Sequence, residues 1–339
     1  MPPPARTYRL GFVGDVMLGR LVDENQRRRA VTAVWGDALD RLQSLDGLFV
    51  NLECCLSNRG EPWTRTYRPF LFRASPNWAV PALTSAGVDW ATLANNHVLD
   101  FGETALRDTL DALDDAGVAR SGAGRTRGEA WDPAVVDAGD LRVALVSFTD
   151  NTPEYAAGAD EPGTACADVD VEDRETRRRV ERALASARAS DPDLLVASLH
   201  WGPNMVTSPP PRFERFAHWL VEDGGVDLVH GHSAHVFQGV EVHEGVPILY
   251  DAGDFVDDYA VDAELRNDRS FLFEVVVDAE STAIDRVRLV PTEIADCRVH
   301  RAAPSTAEWS RETVRERSAA YDTDFERDGD ALVVRVAER

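Results

Sequence analysis

ANNHVLDFG, residues 94–102, is the stretch of this chain that decides its predicted fold. It follows an apolar run, residues 88–93, that is typical of a buried strand. It precedes residues 103–116, whose leucines recur at helical spacing before Gly117, a residue favoured just after a helix C-terminus. A strand, a polar loop and a helix in this order indicate an α/β protein whose functional side chains follow the ends of strands.

The same arrangement recurs along the chain, where further polar segments come directly after apolar runs. These segments are residues 14–15, 51–53, 199–202 and 230–232, with His235 shortly after the last. Repeated strand and helix units predict a largely parallel sheet with right-handed crossovers. Because ligands bind beyond the carboxyl ends of such strands, we expect all these segments to meet in one pocket.

The remaining pattern predicts how the chain is organised around that pocket. Residues 33–45 have helical spacing, and Ser75 followed by Pro76 predicts the start of another helix. Strand-like runs after Ser270 precede a polar helix and a final strand. We find no linker or internal repeat, so we predict a single domain, residues 1–339, with its motifs within about residues 8–295.

Composition narrows the class of protein. The 339 residues include 59 acidic and 36 basic ones, giving a formal net charge of −23, and every basic residue is Arg. The absence of lysine excludes Schiff-base and P-loop chemistry, and the charge disfavours nucleic-acid and anionic membrane partners. Acidity without lysine predicts a protein of a high-salt cytoplasm; an acidic mesophilic protein encoded by GC-rich DNA is the alternative.

Membrane and secretory segments are also absent from the pattern. No apolar run approaches the roughly 18 residues that a membrane span needs. The first residues lack the charged and apolar regions of a signal peptide. We therefore expect a cytoplasmic protein without direct membrane insertion.

The polar segments offer a mixed set of oxygen and nitrogen ligands without thiolates. The candidate metal ligands are Asp15, Glu53, Asn96, His200, His232 and His235. Such a set suits Mn²⁺, Fe or Zn²⁺. His97 follows a candidate ligand directly, and Asp100, three residues later, is placed to orient its ring. This pair predicts general acid catalysis by His97.

The motifs resemble those of the CapA family of poly-γ-glutamate capsule biosynthesis proteins, within the calcineurin-like metallophosphoesterase superfamily. The resemblance lies in GDVMLGR (14–20), NLE (51–53), ANNHVLDFG (94–102), HWG (200–202), GHSAHVFQG (231–239) and YDAGDF (250–255). It implies a four-layer α/β/β/α sandwich, a divalent metal cofactor and a role in capsule synthesis beside membrane-bound partners.

The chain also departs from the superfamily's motifs. Met17 stands in place of the first metal-binding histidine, and Glu53 replaces the usual bridging aspartate. His232 and His235 are separated by one residue more than in the superfamily, and Asp254 replaces an asparagine usual in CapA-like proteins. These departures predict one firm metal position and a weaker second one.

The firm position is expected to contain Glu53, Asn96, His200 and His232, and the weaker one surrounds Asp15. For binding an anionic small molecule or polymer, the candidates are Arg65, Arg68 and Trp201, since guanidinium matches carboxylate and phosphate. The alternatives are surface arginines paired with acidic neighbours and a tryptophan in the core.

Three functions remain open from the sequence. The leading hypothesis is a metal-dependent hydrolase of a phosphoester, or of an ester or amide, with His97 protonating the leaving group. The second is a non-catalytic polymer-binding or scaffold protein of capsule assembly. The third is a protein of this fold that binds no metal.

Overall fold

A computed structural model describes residues 6–336. The α-helices are α1 (Arg20–Gln26), α2 (Leu39–Leu42), α3 (Pro76–Ala86), α4 (Gly102–Ala116), α5 (Arg127–Trp131), α6 (Arg174–Arg188), α7 (Pro211–Glu222) and α8 (Pro304–Ser318). Short 3-10 helices are Val31–Ala38, Pro153–Tyr155 and Ala319–Tyr321. Within the described range, no helix is both long and apolar enough to cross a membrane.

Strands alternate with these helices in the first two thirds of the chain and dominate the last third. They are β1 (Thr7–Val16), β2 (Gly47–Leu52), β3 (Cys55–Leu56), β4 (Arg73–Ala74), β5 (Val88–Thr92), β6 (Ala119–Ser121), β7 (Ala123–Gly124), β8 (Ala134–Ala138), β9 (Leu141–Thr149), β10 (Gly163–Thr164), β11 (Leu194–His200), β12 (Leu228–His232), β13 (Val240–His243), β14 (Val246–Leu249), β15 (Asp254–Val256), β16 (Arg269–Asp278), β17 (Ile284–Ala295), β18 (Arg298–Arg301), β19 (Glu326–Asp328) and β20 (Ala331–Arg335).

Two large sheets organise the strands. The first has ten strands in the order β19-β20-β17-β16-β1-β2-β5-β6, with β15 also paired to β1 and β18 to β17. Its β1, β2, β5, β6 and β15 pair in parallel, whereas its C-terminal strands pair antiparallel. The second has six strands in the order β13-β14-β12-β11-β9-β8, parallel except at its two edges.

The sheets pack face to face, and helices cover their outer faces. Side chains from both sheets meet in a shared apolar core that includes Phe12, Phe49, Trp90, Leu145, Val196 and Leu249. Helices α3 and α4 pack on the first sheet, and α6 and α7 on the second. This arrangement confirms the α/β class and the predicted four-layer α/β/β/α sandwich.

The prediction of a largely parallel sheet is right for the motif-bearing strands and wrong for the rest. Short connections join β16 to β17, β17 to β18 and β19 to β20, and such connections join antiparallel neighbours and cannot make a parallel crossover. Helix α8 separates β18 from β19 and returns the chain to β20, which pairs antiparallel with β17. The helix expected over residues 33–45 is also wrong in part. Gly36 has a φ of +46°, which interrupts it and leaves a 3-10 helix and the short α2.

Helix boundaries follow the predicted signals more closely. Helix α3 begins at Pro76, directly after Ser75, and Gly87 ends it in the left-handed conformation. Helix α4 likewise ends at Gly117, whose φ is +70°. Both helices thereby start just after a polar loop and return the chain to the next strand, which places the loops on one rim of the sandwich.

Candidate metal centre

The polar segments meet because their strands are neighbours in register. Asp15 in β1 lies beside Asn51 of β2 on one side and beside Asp254 of β15 on the other. In the second sheet, His200 and His232 are register partners at the ends of β11 and β12. Parallel pairing brings the carboxyl ends of strands to the same edge, so residues more than 200 positions apart become adjacent.

Close backbone packing also shapes this rim. A Cβ at Gly14 would overlap the carbonyl of Gly253, so only glycine lets β1 approach the turn before β15. Ser233 and His235 have φ angles of +117° and +61°, which non-glycine residues rarely adopt. Backbone strain of this kind is characteristic of functional sites, and here it directs the His235 imidazole to the pocket.

The first group of candidate ligands contains Asp15, His200 and His232. All three are buried, and one ligand atom from each lies within 4.8 Å of the others. Nδ1 of His200 lies 2.9 Å from Nδ1 of His232, and these nitrogens are 3.9 and 3.7 Å from Oδ1 of Asp15. Two imidazole nitrogens and a carboxylate oxygen that converge in this way form a set that suits a divalent metal.

The second group contains Asp15, Glu53, His235 and Asp254, again with ligand atoms within 4.8 Å of one another. Nδ1 of His235 lies 2.9 Å from Oδ1 of Asp254 and 3.3 Å from Oδ2 of Asp15. The hydroxyl of Tyr259 donates a hydrogen bond of 3.2 Å to Oε2 of Glu53. Asp15 therefore belongs to both groups: its Oδ1 faces His200 and His232, and its Oδ2 faces His235.

Buried oxygen atoms without hydrogen bonds support a cation at this place. They are Oδ2 of Asp15, Oε1 of Glu53, Oδ2 of Asp254 and Oδ1 of Asn96. A buried polar oxygen without a partner is costly, and carboxylates that crowd together repel each other. A bound divalent cation would satisfy these oxygens, so the residues fit the metal that the motifs imply.

The electrostatics differ between the two groups. Burial lowers the pKa of His200 to about 3 and that of His232 well below its usual value, so both rings are neutral. Burial, reinforced by the charge of Asp15, raises the pKa of Glu53. Burial opposes protonation of His235, but Asp254 and Glu53 outweigh it and raise its pKa. The carboxylates of the second group therefore favour the protonated form of His235, in contrast to the two histidines of the first group.

His97 lies beside both groups and is firmly held. Its Nδ1 is 2.6 Å from Oδ2 of Asp100, its ring stacks on Phe72 at 3.9 Å, and its Nε2 lies 3.9 Å from Oε1 of Glu53. Asp100 also accepts hydrogen bonds from the backbone of Phe72 and from the hydroxyl of Tyr155. Asp100 thus orients the ring as the sequence predicts, and leaves Nε2 facing the pocket.

Two asparagines that the sequence analysis gave no role organise the centre. Asn51 donates a hydrogen bond of 2.6 Å to Oδ1 of Asp15, and its own oxygen accepts one of 3.0 Å from Asn95. Asn95 also accepts from the backbone N–H of His97 at 3.0 Å. This chain of amides links the first strand to the loop after β5 and fixes the Asp15 carboxylate relative to His97.

A cleft of about 480 Å³ opens onto these residues. Its lining includes Arg20, Arg68, Asn96, His97, His235 and Tyr259. Arg68 donates to the carbonyl of Asn96 and, at 2.9 Å, to the hydroxyl of Thr152, and Arg20 is paired with Asp258 at 3.3 Å. Two guanidinium groups therefore line the same cleft as the imidazoles of His97 and His235, and the buried carboxylates lie behind those imidazoles.

The structure places the other predicted substrate-binding residues away from the cleft. Arg65 is 73% exposed, stacks over Trp63 and lies 3.9 Å from Glu103. Trp201 is buried in the outer core of the second sheet, and its indole N–H donates to the carbonyl of Tyr250 at 2.8 Å. Successive residues of a strand point to opposite faces, so Trp201 turns away where His200 turns in. Both predictions are therefore corrected.

His230 is likewise a packing residue. Its Nε2 lies 3.0 Å from the carbonyl of Val13, and its Nδ1 lies 3.1 Å from the hydroxyl of Ser198. Both ring nitrogens are occupied, and His230 is in neither group of candidate ligands. It joins the two sheets beneath the centre.

Asp254, Tyr259 and Arg20 are members of the site that sequence reasoning did not propose. Asp254 and Arg20 stand within the quoted motifs YDAGDF and GDVMLGR, so their positions were a usable signal. Tyr259 lies outside every quoted motif and carried none. The split of the ligands also differs from the prediction, which put Glu53 with His200 and His232: Asp15 lies with those two histidines, and Glu53 lies with Asp15, His235 and Asp254. Asn96 lines the cleft beside the second group.

The fold and the pocket define an α/β sandwich with a metal-type centre at the ends of its parallel strands. The chain belongs to the family of the bacterial capsule synthesis protein PGA_cap, whose model matches residues 9–259. This confirms the resemblance to the CapA family.

Individual relatives and one solved structure show similarity over most of the chain. The chain is 34% identical to the Probable polyglutamine synthesis accessory protein MT0602 of Mycobacterium tuberculosis (strain CDC 1551 / Oshkosh), over 94% of this chain and 93% of that protein. It is 29% identical to the Capsule biosynthesis protein CapA of Bacillus anthracis, over 73% of this chain and 59% of that protein. Among solved structures, a hypothetical protein from Thermus thermophilus aligns with a TM-score of 0.48 and 17% identity, over 85% of this chain and 100% of that chain.

Proposed function

We propose that this protein is a metal-dependent hydrolase that acts on an anionic small molecule or polymer during poly-γ-glutamate capsule synthesis. The observation that carries the proposal is the sharing of Asp15 between two groups of buried ligands, of which His235 lines an open cleft together with His97. A scaffold protein has no need for buried carboxylate oxygens without partners, whereas a metal centre requires them.

The metal would be held by Asp15, His200 and His232 at one position and by Asp15, Glu53, His235 and Asp254 at the other. When bound, it supplies Lewis acidity and activation of water for hydrolysis. The mixed nitrogen and oxygen ligands suit Mn²⁺, Fe or Zn²⁺. His235 must release its proton to coordinate, so the second position is the weaker one.

The remaining residues bind substrate and move protons. Arg68 and Arg20 face the cleft and would bind phosphate or carboxylate oxygens of the substrate. In the hydrolysis, the oxygen of water bonds to phosphorus or to the carbonyl carbon, and the bond to the leaving oxygen or nitrogen breaks. The doubly protonated His97 ring would give its Nε2 proton to the leaving atom while its Nδ1–H stays bound to Asp100, and the proton lost by the attacking water passes to solvent, from which His97 is protonated again.

The test is a set of assays with Mn²⁺, Zn²⁺, Fe²⁺ or Mg²⁺ on a generic phosphodiester and on poly-γ-glutamate. Turnover that is lost in His97→Ala and kept in Arg65→Gln, a matched change outside the cleft, supports the hydrolase. Bound metal without turnover on any of these substrates contradicts it. Binding of poly-γ-glutamate without cleavage would then indicate a polymer-binding protein.

A further inference from the structure

A second cluster of imidazoles and carboxylates lies outside the cleft, between α7 and the edge strand β13. His218 and Glu222 are four residues apart on α7, and Glu241 and His243 are two residues apart on β13. These spacings place each pair on a single face of its element. The two faces meet where α7 packs at the edge of the second sheet.

The three nearest side chains converge as metal ligands do. Ligand atoms of His218, Glu241 and His243 all lie within 4.8 Å of one another. Nε2 of His218 is 3.0 and 3.1 Å from the two oxygens of Glu241, and Nδ1 of His243 is 3.6 Å from Oε1. The His218 side chain is 32% exposed and that of His243 20%, so an ion can enter from solvent.

The outer partners are those that orient metal ligands in proteins. Nε2 of His243 lies 2.7 Å from Oε1 of Glu222, which fixes the ring with Nδ1 facing the cluster. The hydroxyl of Tyr250 donates a hydrogen bond of 2.5 Å to Oε2 of Glu241. Metal-binding histidines usually donate their other nitrogen to a carboxylate, and ligating carboxylates are themselves hydrogen-bonded.

The two imidazole rings of the cluster are stacked beside Glu241. His218 and His243 lie face to face, with ring centroids 3.8 Å apart and planes 3° apart. Glu241 contacts both rings and Glu222 contacts His243, so two carboxylates and two imidazoles meet at one place. A divalent cation bound between His218, Glu241 and His243 would hold the two rings through their nitrogen atoms.

We propose that His218, Glu241 and His243 bind one divalent cation of the Zn²⁺ class, with Glu222 orienting His243. Two imidazoles and one carboxylate form a set that Zn²⁺ favours over Mg²⁺ or Ca²⁺. The ion would join α7, which follows the loop after His200, to an edge strand that pairs only with β14 among the described strands. Its role is structural, and it is independent of the hydrolase proposed above.

The experiment is equilibrium dialysis of the whole protein against Zn²⁺, with the metal counted per chain and thermal unfolding followed in parallel. His243→Gln and His218→Gln are each expected to bind one Zn²⁺ fewer than wild type and to lose part of the Zn²⁺-dependent rise in Tm. The matched control is His300→Gln, a partly buried histidine next to Asp37 that belongs to none of the ligand groups in the described residues.

Glu222→Gln gives a graded measurement, since its side chain is 55% exposed and the variant should fold. We expect it to weaken Zn²⁺ at this site about tenfold, as the loss of an orienting carboxylate does in other zinc sites. Zn²⁺ counts equal to wild type in both histidine variants, or in whichever of them folds, together with unchanged affinity in Glu222→Gln, would overturn the proposal. The hydrolase proposal is tested separately. It fails if the protein shows no turnover although the candidate ligands of the metal centre are unchanged.

Discussion

The two halves of the metal centre share Asp15 but differ in chemistry. The half with His200 and His232 contains neutral imidazoles, because burial lowers the pKa of both rings. The half with Glu53 and Asp254 is rich in carboxylates, and it raises the pKa of His235. A metal can bind the first half without releasing a proton, whereas binding to all ligands of the second must displace one from His235.

This difference explains why one position should be firm and the other weak. The family resemblance predicts the same inequality, but for another reason, namely the histidine that Met17 replaces. In the structure, Met17 is buried in the core of the first sheet, and His235 is the imidazole that contacts the carboxylates instead. A substitution of Asp15, the residue that both halves share, should affect both metal positions.

Asp15→Asn should have the largest effect. It keeps the shape of the side chain but removes a charge from both groups, so both metal positions weaken together. We expect hydrolysis to fall by about 1000-fold or more, as expected when metal activation of water is lost. The measurement is kcat/KM on a phosphodiester with added Mn²⁺. An Asp15→Asn enzyme with near wild-type activity would show that the carboxylate is not shared.

His97→Ala should come next and should separate proton transfer from metal binding. We expect kcat to fall by about 100-fold to 10,000-fold, the range typical of a lost general acid, with the metal content unchanged. Asp100→Asn should give a smaller loss, because it leaves the His97 imidazole in place while weakening the hydrogen bonds to Asp100 from that ring, the Phe72 backbone and the Tyr155 hydroxyl. If His97→Ala loses metal along with activity, His97 acts on the centre itself and the assigned role is wrong.

Much of the centre can be predicted from the sequence, and the reasons for the rest are physical. Asp15, Glu53, His200 and His232 follow apolar runs, and parallel pairing alone brings them together. Asp254 enters the centre only because β15 pairs with β1, a long-range contact that no local pattern encodes. Tyr259 reaches the cleft from a loop, whose path the sequence does not show, and Arg20 reaches it from the first residue of α1.

The fold likewise has a part that the sequence predicts and a part that it does not. The strands and helices of the motif-bearing part follow clear periodicity and boundary signals, so their order is predictable. Pairing partners within the C-terminal strands depend on hairpin geometry for β16 to β18 and for β19 with β20, and on a long-range contact for β17 with β20, rather than on hydrophobic pattern. The misplacement of Trp201 was avoidable, since a residue adjacent to an inward-facing His200 points to the other face.

Asp254→Asn should affect the second half of the centre alone. The change removes a carboxylate that pairs with His235 at 2.9 Å, while the first group keeps all its ligands. We expect the weaker metal to bind about tenfold less tightly and the firmer one to be unaffected. Metal titration followed by calorimetry resolves the two steps. Equal weakening of both steps would mean that the halves are not separable.

Arg68→Gln should give the smallest change, because it alters substrate binding outside the metal ligands. We expect KM for an anionic substrate to rise about tenfold with kcat nearly unchanged, consistent with a lost charge-assisted hydrogen bond. Arg65→Gln, at an exposed position, should leave both constants as in wild type. If the two variants behave alike, Arg68 does not bind substrate.

Asp15 is proposed to join two metal positions of unequal strength. Elemental analysis of wild type, Asp15→Asn, His232→Gln and Asp254→Asn, purified in high salt without chelator, tests this proposal. We expect at least one metal per chain in wild type, partial loss in His232→Gln and Asp254→Asn, and the greatest loss in Asp15→Asn. Less than roughly 0.2 metal per chain in wild type would contradict it.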